Sequence, residues 1–545
     1  MVRIALVTGR RAAEQLRVIA GRIAERTGWK VDVIVAHTEV AALIPREELE
    51  RIMRENVGRY DLFIVPGRLE YSVEEVAEET GASIVRGPDD ASALLLLAEL
   101  GEEGLERLRR EGRLSPALLL DKMLRELAEH HRAAPGMGVC GVKVPVRPPP
   151  IVLAAELYLP SGRGGVEEAV EKAVVKAREL LSHGADILVA GFGPGWERDE
   201  TLQALEELRA RLGAPVAVDT PDVEAAAEAA SRGLACMYMS LGLWNLDKAS
   251  VLPRGLAVVA TPVMEGLRLP STPLERLEAV KKVAEAAEEA GLRPIVDPVV
   301  DPPGQGSMGL SVSAYYLVSH EIMDKPLMAG LANVYELLDA DTHGQIAVLM
   351  QLYAEAGASI MLVTEESRKA YMAVAEARIA ATMTSLSLLS HRLPKDLGVD
   401  LLYAKEKRPQ PPPGGLPRRP RLSLAADALA SWHGFRRDLT GSHLIVVEDG
   451  EIRDYYIGRK GTILLRSRSG ERLYKAAAYL GLAAEPSHYA YLGYELCKAQ
   501  HALEMGRSYR QEAPLVTPPW RRGQLVYLPR RMGAEKLDSR VENSD

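Results

Sequence analysis

The sequence predicts an α/β protein built around a (β/α)8 barrel, the TIM fold, with a Rossmann-like α/β domain before it and a small α+β domain after it. Two observations predict the barrel: eight short apolar runs alternate with helical patterns over residues 151–391, and acidic or amide residues follow several of these runs. A shorter alternation over residues 1–135 predicts the first domain. Strand-like runs followed by helical ones over residues 420–530 predict the last.

The bulk composition bounds the class of protein. The chain has 545 residues, more than a single hydrophobic core holds, so two to four domains are expected. A composition of 47% apolar and 26% charged residues is ordinary for a globular protein, and a net charge of −8 argues against a general nucleic-acid binder. No apolar run reaches the length of about 18 residues that a membrane span needs, and the first residues read as a strand rather than a signal peptide.

The few cysteine, asparagine and glutamine residues predict a cellular location and a thermophilic source. Cys140, Cys236 and Cys497 are far apart in sequence and form no CxxC motif, so a cytoplasmic location is expected. The chain contains only four Asn and nine Gln, and this scarcity of thermolabile amides predicts a thermophilic source.

The first domain is predicted to be an open parallel sheet with helices on both faces. Glycines follow three of its strands, but neither a GxGxxG motif nor a P-loop is present, which favours a docking or scaffold domain over a nucleotide-binding one. The proline-rich run at 143–150 is expected to be a linker. Strands are predicted at 2–8, 31–36, 62–65 and 83–85, and helices at 11–27, 46–56, 73–80 and 89–100.

The barrel prediction covers eight strand–helix units, although the return from the fourth strand to the fifth is short and irregular. The predicted strands are at 151–157, 186–190, 216–218, 234–239, 256–260, 294–296, 327–329 and 359–363. The predicted helices are at 166–182, 199–212, 222–232, 272–290, 308–323, 343–356 and 367–390. In this fold the chemistry lies at the carboxyl ends of the strands, so the residues found there are candidates for a site.

The third unit shows the pattern most clearly. A buried strand ends at Asp219, and Thr220 and Pro221 are suited to the N-cap and first position of the next helix, which Gly233 ends. Asp297 follows the sixth strand in the same way, and Asn333 lies just beyond the seventh. Two acids and an amide at one barrel mouth suit an aminopyrimidinone edge, which offers N–H donors beside a carbonyl acceptor. The alternative is that these side chains only cap helices.

Other residues at strand ends and helix starts complete the candidate site. The loop at 160–165 offers backbone N–H groups and one guanidinium at a helix start, which suits an anion, and a second helix start lies after strand eight. Glycine-rich loops and capping serines are also common without any function, so this alternative stays open. The candidate binding residues are Glu156, Ser161, Arg163, Gly164, Gly193, Thr261, Ser367 and Arg368. No cluster of His, Cys and Asp has metal-ligand spacing, so no resident metal is predicted.

These motifs carry a resemblance to a known family. Gly184-Ala-Asp-Ile187, Val218-Asp219 before an alanine-rich helix, and Val296-Asp297-Pro298 resemble the dihydropteroate synthase pattern. The chain as a whole resembles archaeal dihydropteroate synthase-like proteins, which have extra domains at both ends. The resemblance implies a pterin pocket with Asp219 and Asp297 on the pterin ring, and any Mg²⁺ would enter with the diphosphate of the substrate.

The sequence also departs from the synthase pattern. A synthase has Ser-Arg-Lys after strand seven, where this chain has Ala332-Asn333-Val334, and the usual Asn-Asp pair of strand four is replaced by Tyr238-Met239. The Gly-Leu-Ala-Asn run ending at Asn333 instead resembles the pterin domain of methyltetrahydrofolate–corrinoid methyltransferases, where that Asn approaches pterin N5.

Three functions are therefore weighed. The first is a synthase-like transferase that condenses a 6-hydroxymethyl-dihydropterin diphosphate with an arylamine, of ribosylated aminobenzene phosphate type, in tetrahydromethanopterin or folate-like cofactor biosynthesis. The second is a methyltransferase from a methyl-tetrahydropterin to a corrinoid. The third is a non-catalytic pterin-binding protein.

The last domain follows a basic, proline-rich linker at 405–421. Strands at 443–448, 451–457 and 462–466 are predicted to form a meander, followed by helices at 470–480 and 487–506. The domain resembles a small one found beside archaeal enzymes of C1-pterin metabolism. The Ala- and Leu-rich barrel helices predict a homodimer, without indicating its surface.

Overall fold

The computed structural model describes residues 2–88, 91–111, 116–160, 165–193, 195–305, 307–395, 397–404 and 438–516. The chain forms two compact units, Met1–Pro409 and Gln410–Asp545. The proline-rich linker predicted at 405–421 lies entirely within 405–437, outside the described residues.

The first unit begins with a four-stranded parallel sheet in the order β2-β1-β3-β4. Its amphipathic helices bury apolar side chains against both faces of the sheet, as the alternation predicts. The backbone N–H groups of Arg10 and Arg11, which follow the first strand, donate to the carbonyls of Thr38 and Glu39 at 3.0 and 3.1 Å, so they are not available to a phosphate. The elements are β1 Arg3–Thr8, β2 Lys30–Val35, β3 Leu62–Val65, β4 Ile84–Arg86, α1 Ala13–Thr27, α2 Arg46–Asn56, α3 Val73–Thr80, α4 Leu95–Glu111 and α5 Pro116–Ala133.

The run expected to be a linker at 143–150 is partly structured. An antiparallel hairpin, β5 Gly136–Val139 with β6 Val142–Pro145, contributes Val139 and Val144 to the interior core of the barrel. The alternation of Val142 and Val144 with polar residues is a strand signal that the prolines after it obscured.

The hairpin also corrects the expectation drawn from the cysteines. Its turn carries Cys140, which forms a disulfide with Cys236 across a sequence separation of 96 residues. Because only the folded chain brings these two residues together, their spacing gave no sign of the bond. The disulfide removes the cysteine argument for a cytoplasmic location.

Eight parallel strands form the predicted barrel, in the order β12-β11-β10-β9-β8-β7-β14-β13. The barrel closes where Val296 forms a parallel bridge with Leu327 and donates its N–H to the Pro326 carbonyl at 2.9 Å. The strands are β7 Val152–Leu159, β8 Ile187–Phe192, β9 Val216–Asp219, β10 Ala235–Leu241, β11 Ala257–Ala260, β12 Arg293–Val296, β13 Met328–Gly330 and β14 Ile360–Thr364. The helices are α6 Gly165–Ser182, α7 Arg198–Leu212, α8 Val223–Ser231, α9 Pro273–Glu289, α10 Met308–Glu321, α11 Ala332–Tyr335, α12 Thr342–Glu355 and α13 Ala373–Ser390.

Two helix starts differ from the prediction. Asp222, rather than Thr220, caps α8, accepting from Ala225 N at 3.0 Å, while Thr220 Oγ1 accepts from Asp222 N. The last barrel helix starts at Ala373 instead of 367, because a 3₁₀ turn at Arg368–Ala370 precedes it.

The second unit contains a three-stranded antiparallel sheet packed against two helices. Ile452, Tyr456, Leu473 and Leu496 are among the buried residues of its core. Its elements are β15 Gly441–Glu448, β16 Glu451–Gly458, β17 Gly461–Ser467, α14 Gly470–Tyr479 and α15 Pro486–Glu504, close to the predicted bounds.

Within the described ranges, the chain has no helix whose length and hydropathy would allow it to cross a membrane.

Candidate functional site

The strand pleat builds the site at the carboxyl end of the barrel. Successive side chains of a strand alternate between the interior and the helices, and Ala154, Ala217 and Ile295 belong to the apolar interior. Two residues further along each strand, the same parity places Glu156, Asp219 and Asp297 in the top layer. Thus three carboxyl groups replace the apolar filling where the barrel opens.

Glu156 and Asp219 are brought together by a glycine between their strands. Gly191 on β8 is the register partner of Asp219, and a Cβ at Gly191 would lie 2.5 Å from Glu156 Oε1. The Glu156 carboxylate therefore occupies the space that a side chain at residue 191 would fill. Burial, with a contribution from the charge of Glu156, raises the pKa of Asp219 to about 7. Burial and the neighbouring Glu366 raise the pKa of Glu156.

Asp297 is held by its surroundings more tightly than Asp219. Its Oδ1 accepts from Tyr315 Oη at 2.5 Å and from Val299 N at 2.7 Å. Burial raises the pKa of Asp297 to about 6, against the lowering effects of these two hydrogen bonds and of Arg276. Tyr315, from the middle of α10, has no counterpart among the predicted site residues.

The loop after Asp297 is fixed by a buried ion pair. Arg276 from α9 donates to Asp301 at 2.9 Å and to the Val299 carbonyl at 3.0 Å. Val299 itself has a φ of 69°, a left-handed conformation that is unfavourable for a β-branched residue. The strain is therefore located directly beside a candidate catalytic residue.

Asn333 braces the same loop and does not cap α11. Its Nδ2 donates to the Val300 carbonyl at 2.9 Å, and α11 shows no side-chain cap. Within the described chain its Oδ1 has no hydrogen-bond partner, and the residue is exposed at the barrel mouth. Asn333 can therefore accept a hydrogen bond from a ligand while it holds the loop.

Two predicted binding residues have structural contacts of their own. Thr261 is buried, and its hydroxyl donates to the Leu241 carbonyl at 3.2 Å. Gly193 accommodates the Tyr158 phenol, since a Cβ there would lie 2.1 Å from Tyr158 Oη. The Thr261 hydroxyl therefore has its hydrogen engaged, and Gly193 contributes space for a neighbouring side chain.

Thr364 is a candidate that was not singled out. It ends β14 on the same side of the strand as Ile360, which belongs to the barrel interior. The residue is 7% exposed, and its Oγ1 has no hydrogen-bond partner in the described structure. A buried hydroxyl without a partner in a top layer of carboxyl groups suits a ligand contact. A threonine at the end of a strand is common, so the sequence gave no reason to prefer it.

The predicted anion sites are only partly described. Ser161, Arg163 and Gly164 lie in 161–164, outside the described residues. After β14, the N–H groups of Glu366 and Ser367 donate to Glu336 Oε1 at 3.3 and 3.4 Å, so a carboxylate already lies where an anion was expected. Arg368 is exposed and makes no ion pair with any described residue.

The end of β10 lacks the amide pair of the synthase pattern, and Asn245 from the next loop packs there instead. It donates to Tyr238 Oη at 3.2 Å and accepts from Gly242 N at 2.8 Å. Through these two hydrogen bonds, Asn245 stabilises the loop that follows β10.

A groove of about 690 Å³ lies beside the mouth, between α6 and the segment after β14, and Tyr158, Lys172, Lys176 and Glu365 are among its lining residues. Both lysines are neutralised there, by Glu168 and Glu365. Among the described residues, no group of three or more His, Cys, Asp or Glu is placed to hold a metal ion.

The fold and the site together define an α/β barrel protein with an acidic, half-buried site at the carboxyl ends of its strands. Comparisons place this chain among known proteins. Residues 437–512 match the domain model described as PterinBD-DUF4346. The chain is 27% identical over 535 residues to the uncharacterized protein MJ0107 of Methanocaldococcus jannaschii, covering 92% of this chain and 99% of the relative.

Solved structures of dihydropteroate synthases are similar to somewhat less than half of the chain. That of Xanthomonas albilineans in complex with 7,8-dihydropteroate is 21% identical, with a TM-score of 0.35, covering 46% of this chain and 96% of that one. That of Coxiella burnetii in complex with pteroic acid is 22% identical, with a TM-score of 0.34, covering 44% and 93%. The chain is thus similar, over nearly its whole length, to a protein of an archaeon, as the predicted resemblance to archaeal chains leads us to expect.

Proposed function

We propose that this chain is a dihydropteroate synthase-like transferase that condenses a 6-hydroxymethyl-dihydropterin diphosphate with an arylamine of ribosylated aminobenzene phosphate type. The product would serve tetrahydromethanopterin or folate-like cofactor biosynthesis. The observation that supports the proposal most is the top layer of the barrel interior, where Glu156, Asp219 and Asp297 converge. The PterinBD name of the domain model that matches residues 437–512 agrees with a pterin ligand.

The top layer suits a pterin because of its hydrogen-bonding character. The aminopyrimidinone edge of a pterin presents a ring N–H and an exocyclic NH₂, and ionised carboxylates accept from such donors in charge-assisted bonds. Asp219 has no hydrogen-bond partner among the described residues, and Asp297 uses only Oδ1. Both therefore offer free acceptor oxygens, and Thr364 and Asn333 can complete the contacts.

The proposed reaction needs positioning more than acid–base catalysis. The bond between the pterin methylene carbon and the diphosphate oxygen breaks, pyrophosphate leaves with the electron pair, and the amine nitrogen forms a bond to the same carbon and loses a proton. The chain's contribution is to hold the pterin so that the methylene faces the amine. Mg²⁺ would enter bound to the diphosphate of the substrate.

A methyltransferase is the second candidate, and Asn333 is the observation that favours it. The residue lies next to the position where a synthase has a lysine, and its Oδ1 has no hydrogen-bond partner among the described residues. An amide oxygen there could accept from a protonated pterin nitrogen as a methyl group leaves it.

The two candidates are separated by direct assay of purified protein. With the pterin diphosphate, the ribosylated aniline phosphate and Mg²⁺, we expect pyrophosphate release, which Asp219→Asn lowers by at least tenfold. Asp339→Asn is the matched control, because Asp339 is fully exposed and is not one of the acids of the top layer. Methyl transfer to cob(I)alamin without pyrophosphate release would favour the methyltransferase, and tight pterin binding without either reaction would favour a binding protein.

Substitutions at Asn333 give the first prediction. In a synthase, Asn333→Ala should weaken pterin binding and slow condensation together, because the loop at 298–301 loses its brace. In a methyltransferase, Asn333→Ala should reduce methyl transfer far more than binding. Calorimetry with steady-state kinetics on the Ala, Ser and Asp variants measures both. Full activity in the Asp variant, which cannot donate to the Val300 carbonyl, would contradict any role for this residue in pterin binding.

We also propose a homodimer. The outward sides of α10 and α12 expose Tyr316 and Val348, at 56% and 67%, beside Leu310, Leu317 and Leu352. Light scattering coupled to size exclusion should give twice the chain mass, and Val348→Glu should shift it toward one. A wild-type monomer would contradict this surface. The cytoplasmic location, the thermophilic source and the absence of nucleic-acid partners stay predictions.

A further inference from the structure

Asp297 and Tyr315 form a buried contact that involves a third oxygen atom. Tyr315 Oη lies 2.5 Å from Asp297 Oδ1 and 2.9 Å from the carbonyl oxygen of Met328. Tyr315 is fully buried, and Asp297 is 9% exposed. Both neighbours of the phenol oxygen are hydrogen-bond acceptors when the aspartate is ionised.

The single hydrogen of the Tyr315 hydroxyl cannot satisfy both of its oxygen neighbours. A phenol has one hydrogen to donate, so with an ionised Asp297 only one of the two short contacts is a full hydrogen bond. The other then places two oxygen atoms against each other without a proton between them, at a buried position, which is unfavourable. If Asp297 Oδ1 carries a proton, it donates to Tyr315 Oη, and Tyr315 donates to the Met328 carbonyl. Both contacts are then hydrogen bonds, and Val299 N can still donate to Oδ1.

We infer that Tyr315 holds a proton on Asp297 in the ligand-free barrel, and that a pterin binding at Oδ2 displaces this proton to solvent. On ionisation the phenol hydrogen turns from the Met328 carbonyl to Oδ1, so that Tyr315 supports the carboxylate that accepts from the pterin N–H groups. Tyr315 is thus a positioning residue, and the part that concerns the pterin depends on the proposed function.

The charged and titratable groups around Asp297 allow its carboxyl group to be protonated without a ligand and ionised when a pterin is bound. Arg276 from α9 favours the carboxylate, but it forms a buried ion pair with Asp301 of the adjoining loop at 2.9 Å. Tyr353 from α12 packs edge-on against Tyr315, with ring centroids 4.9 Å apart, and its hydroxyl is bonded to Ser311 Oγ. The raised pKa of Asp297, about 6, agrees with a proton that is present in mildly acidic solution and removable near neutrality.

Infrared difference spectroscopy of the ligand-free, full-length protein tests the inference without a pterin. At pH 5 the wild type should show a protonated carboxyl band that is absent from Asp297→Asn. Tyr315→Phe should move this band to higher frequency, because the carboxyl O–H loses its acceptor. Tyr353→Phe is the matched control: it removes an equally buried phenol that does not contact Asp297, and it should leave the band in place. Absence of the band, or the same shift in both tyrosine variants, would overturn the inference.

Calorimetry then tests the release of the proton. With a dihydropterin at pH 5, in two buffers that differ in ionisation enthalpy, the wild type should release about one proton more per bound ligand than Asp297→Asn. Equal release would overturn the displacement of the Asp297 proton. If no pterin binds although the infrared band is present, the proposed function fails while the protonation of Asp297 stands.

Discussion

At the scale of single residues, the described part of the barrel mouth gathers carboxyl groups, two of which have no cation beside them. Among the described residues, no lysine or arginine forms an ion pair with Glu156 or Asp219, whereas the nearby Glu365 is paired with Lys176 and His183. A structural carboxylate is normally neutralised in the way that Glu365 is. Carboxyl groups left without partners in a half-buried layer are instead typical of a binding or catalytic site.

The raised pKa of Asp219 gives the second prediction. The folded-state pKa, about 7, is above the unfolded value of about 3.9, so between these values the native state keeps a proton that the unfolded chain has lost. Stability should therefore fall as the pH rises from about 4 to about 7. Asp219→Asn should remove part of this fall and stabilise the protein at pH 8 by on the order of 1–3 kcal/mol.

Thermal unfolding at pH 5 and pH 8 measures the effect, with the exposed Asp339→Asn as the control. If Asp219→Asn and wild type lose the same stability between these two pH values, the prediction that burial raises the pKa of Asp219 is wrong.

At the scale of elements, the end of β8 determines how the acids meet, because Gly191 in the strand and Gly193 just after it have no side chain. Gly191 leaves space for the carboxylate of Glu156, while Gly193 leaves space for the phenol of Tyr158. Both glycines face side chains of β7, so substituting each in turn compares the displacement of Glu156 with that of Tyr158.

Substitution of these glycines gives the third prediction. Gly191→Ala should force the Glu156 carboxylate away from Asp219 and reduce pterin affinity by about tenfold, or about 1.4 kcal/mol. Gly193→Ala should have a smaller effect, because Tyr158 is 46% exposed and can turn toward solvent. Titration calorimetry on both variants measures this, and a larger loss in Gly193→Ala would contradict the importance of the Glu156–Asp219 contact.

The sequence could predict these elements because local pattern and burial agree in them. The barrel strands are apolar runs that end at a polar residue, and the fold places Asp219 and Asp297 at the carboxyl edge without further information. Tyr315 could not be found in this way, because it is one of two adjacent tyrosines within an apolar helix and only packing shows which of them faces Asp297. Thr364 and Gly191 lie at strand ends, where the sequence predicts a site, but their roles could not be predicted for the same reason: an unpartnered hydroxyl and a vacant Cβ position are properties of the folded chain.

At the scale of the whole molecule, the segment between the first sheet and the barrel holds the two together. The hairpin β5–β6 packs into the interior core, and Arg147 donates to the carbonyls of Ser319, Ile322 and Lys325 near the end of α10, at 2.5–2.8 Å. Leu100 and Met123 from the N-terminal helices share a small core with Leu386 of α13. The N-terminal sheet and the barrel therefore behave as parts of one compact unit.

The disulfide gives the fourth prediction. Closing a loop of about 100 residues lowers the entropy of the unfolded chain by up to about 4–5 kcal/mol in free energy, although measured gains are often smaller. Cys140→Ser should therefore lower the melting temperature by several degrees in the absence of reductant. Cys497→Ser is the control, because Cys497 is exposed and unbonded. Equal melting temperatures for Cys140→Ser and oxidised wild type would show that the bond adds no stability.

The same bond makes part of the chain a covalent ring. Residues 140–236 run from the hairpin through β7, β8 and β9 and return at the start of β10. Glu156, Gly191 and Asp219 all lie within this ring, so two of the three acids of the mouth belong to the part of the polypeptide that a single protease cut cannot separate. A cut anywhere between the two cysteines would leave a nicked protein that migrates as one chain without reductant and as two fragments with it. In such a nicked protein, a peptide bond near the barrel mouth could be cleaved while the disulfide keeps the two fragments joined.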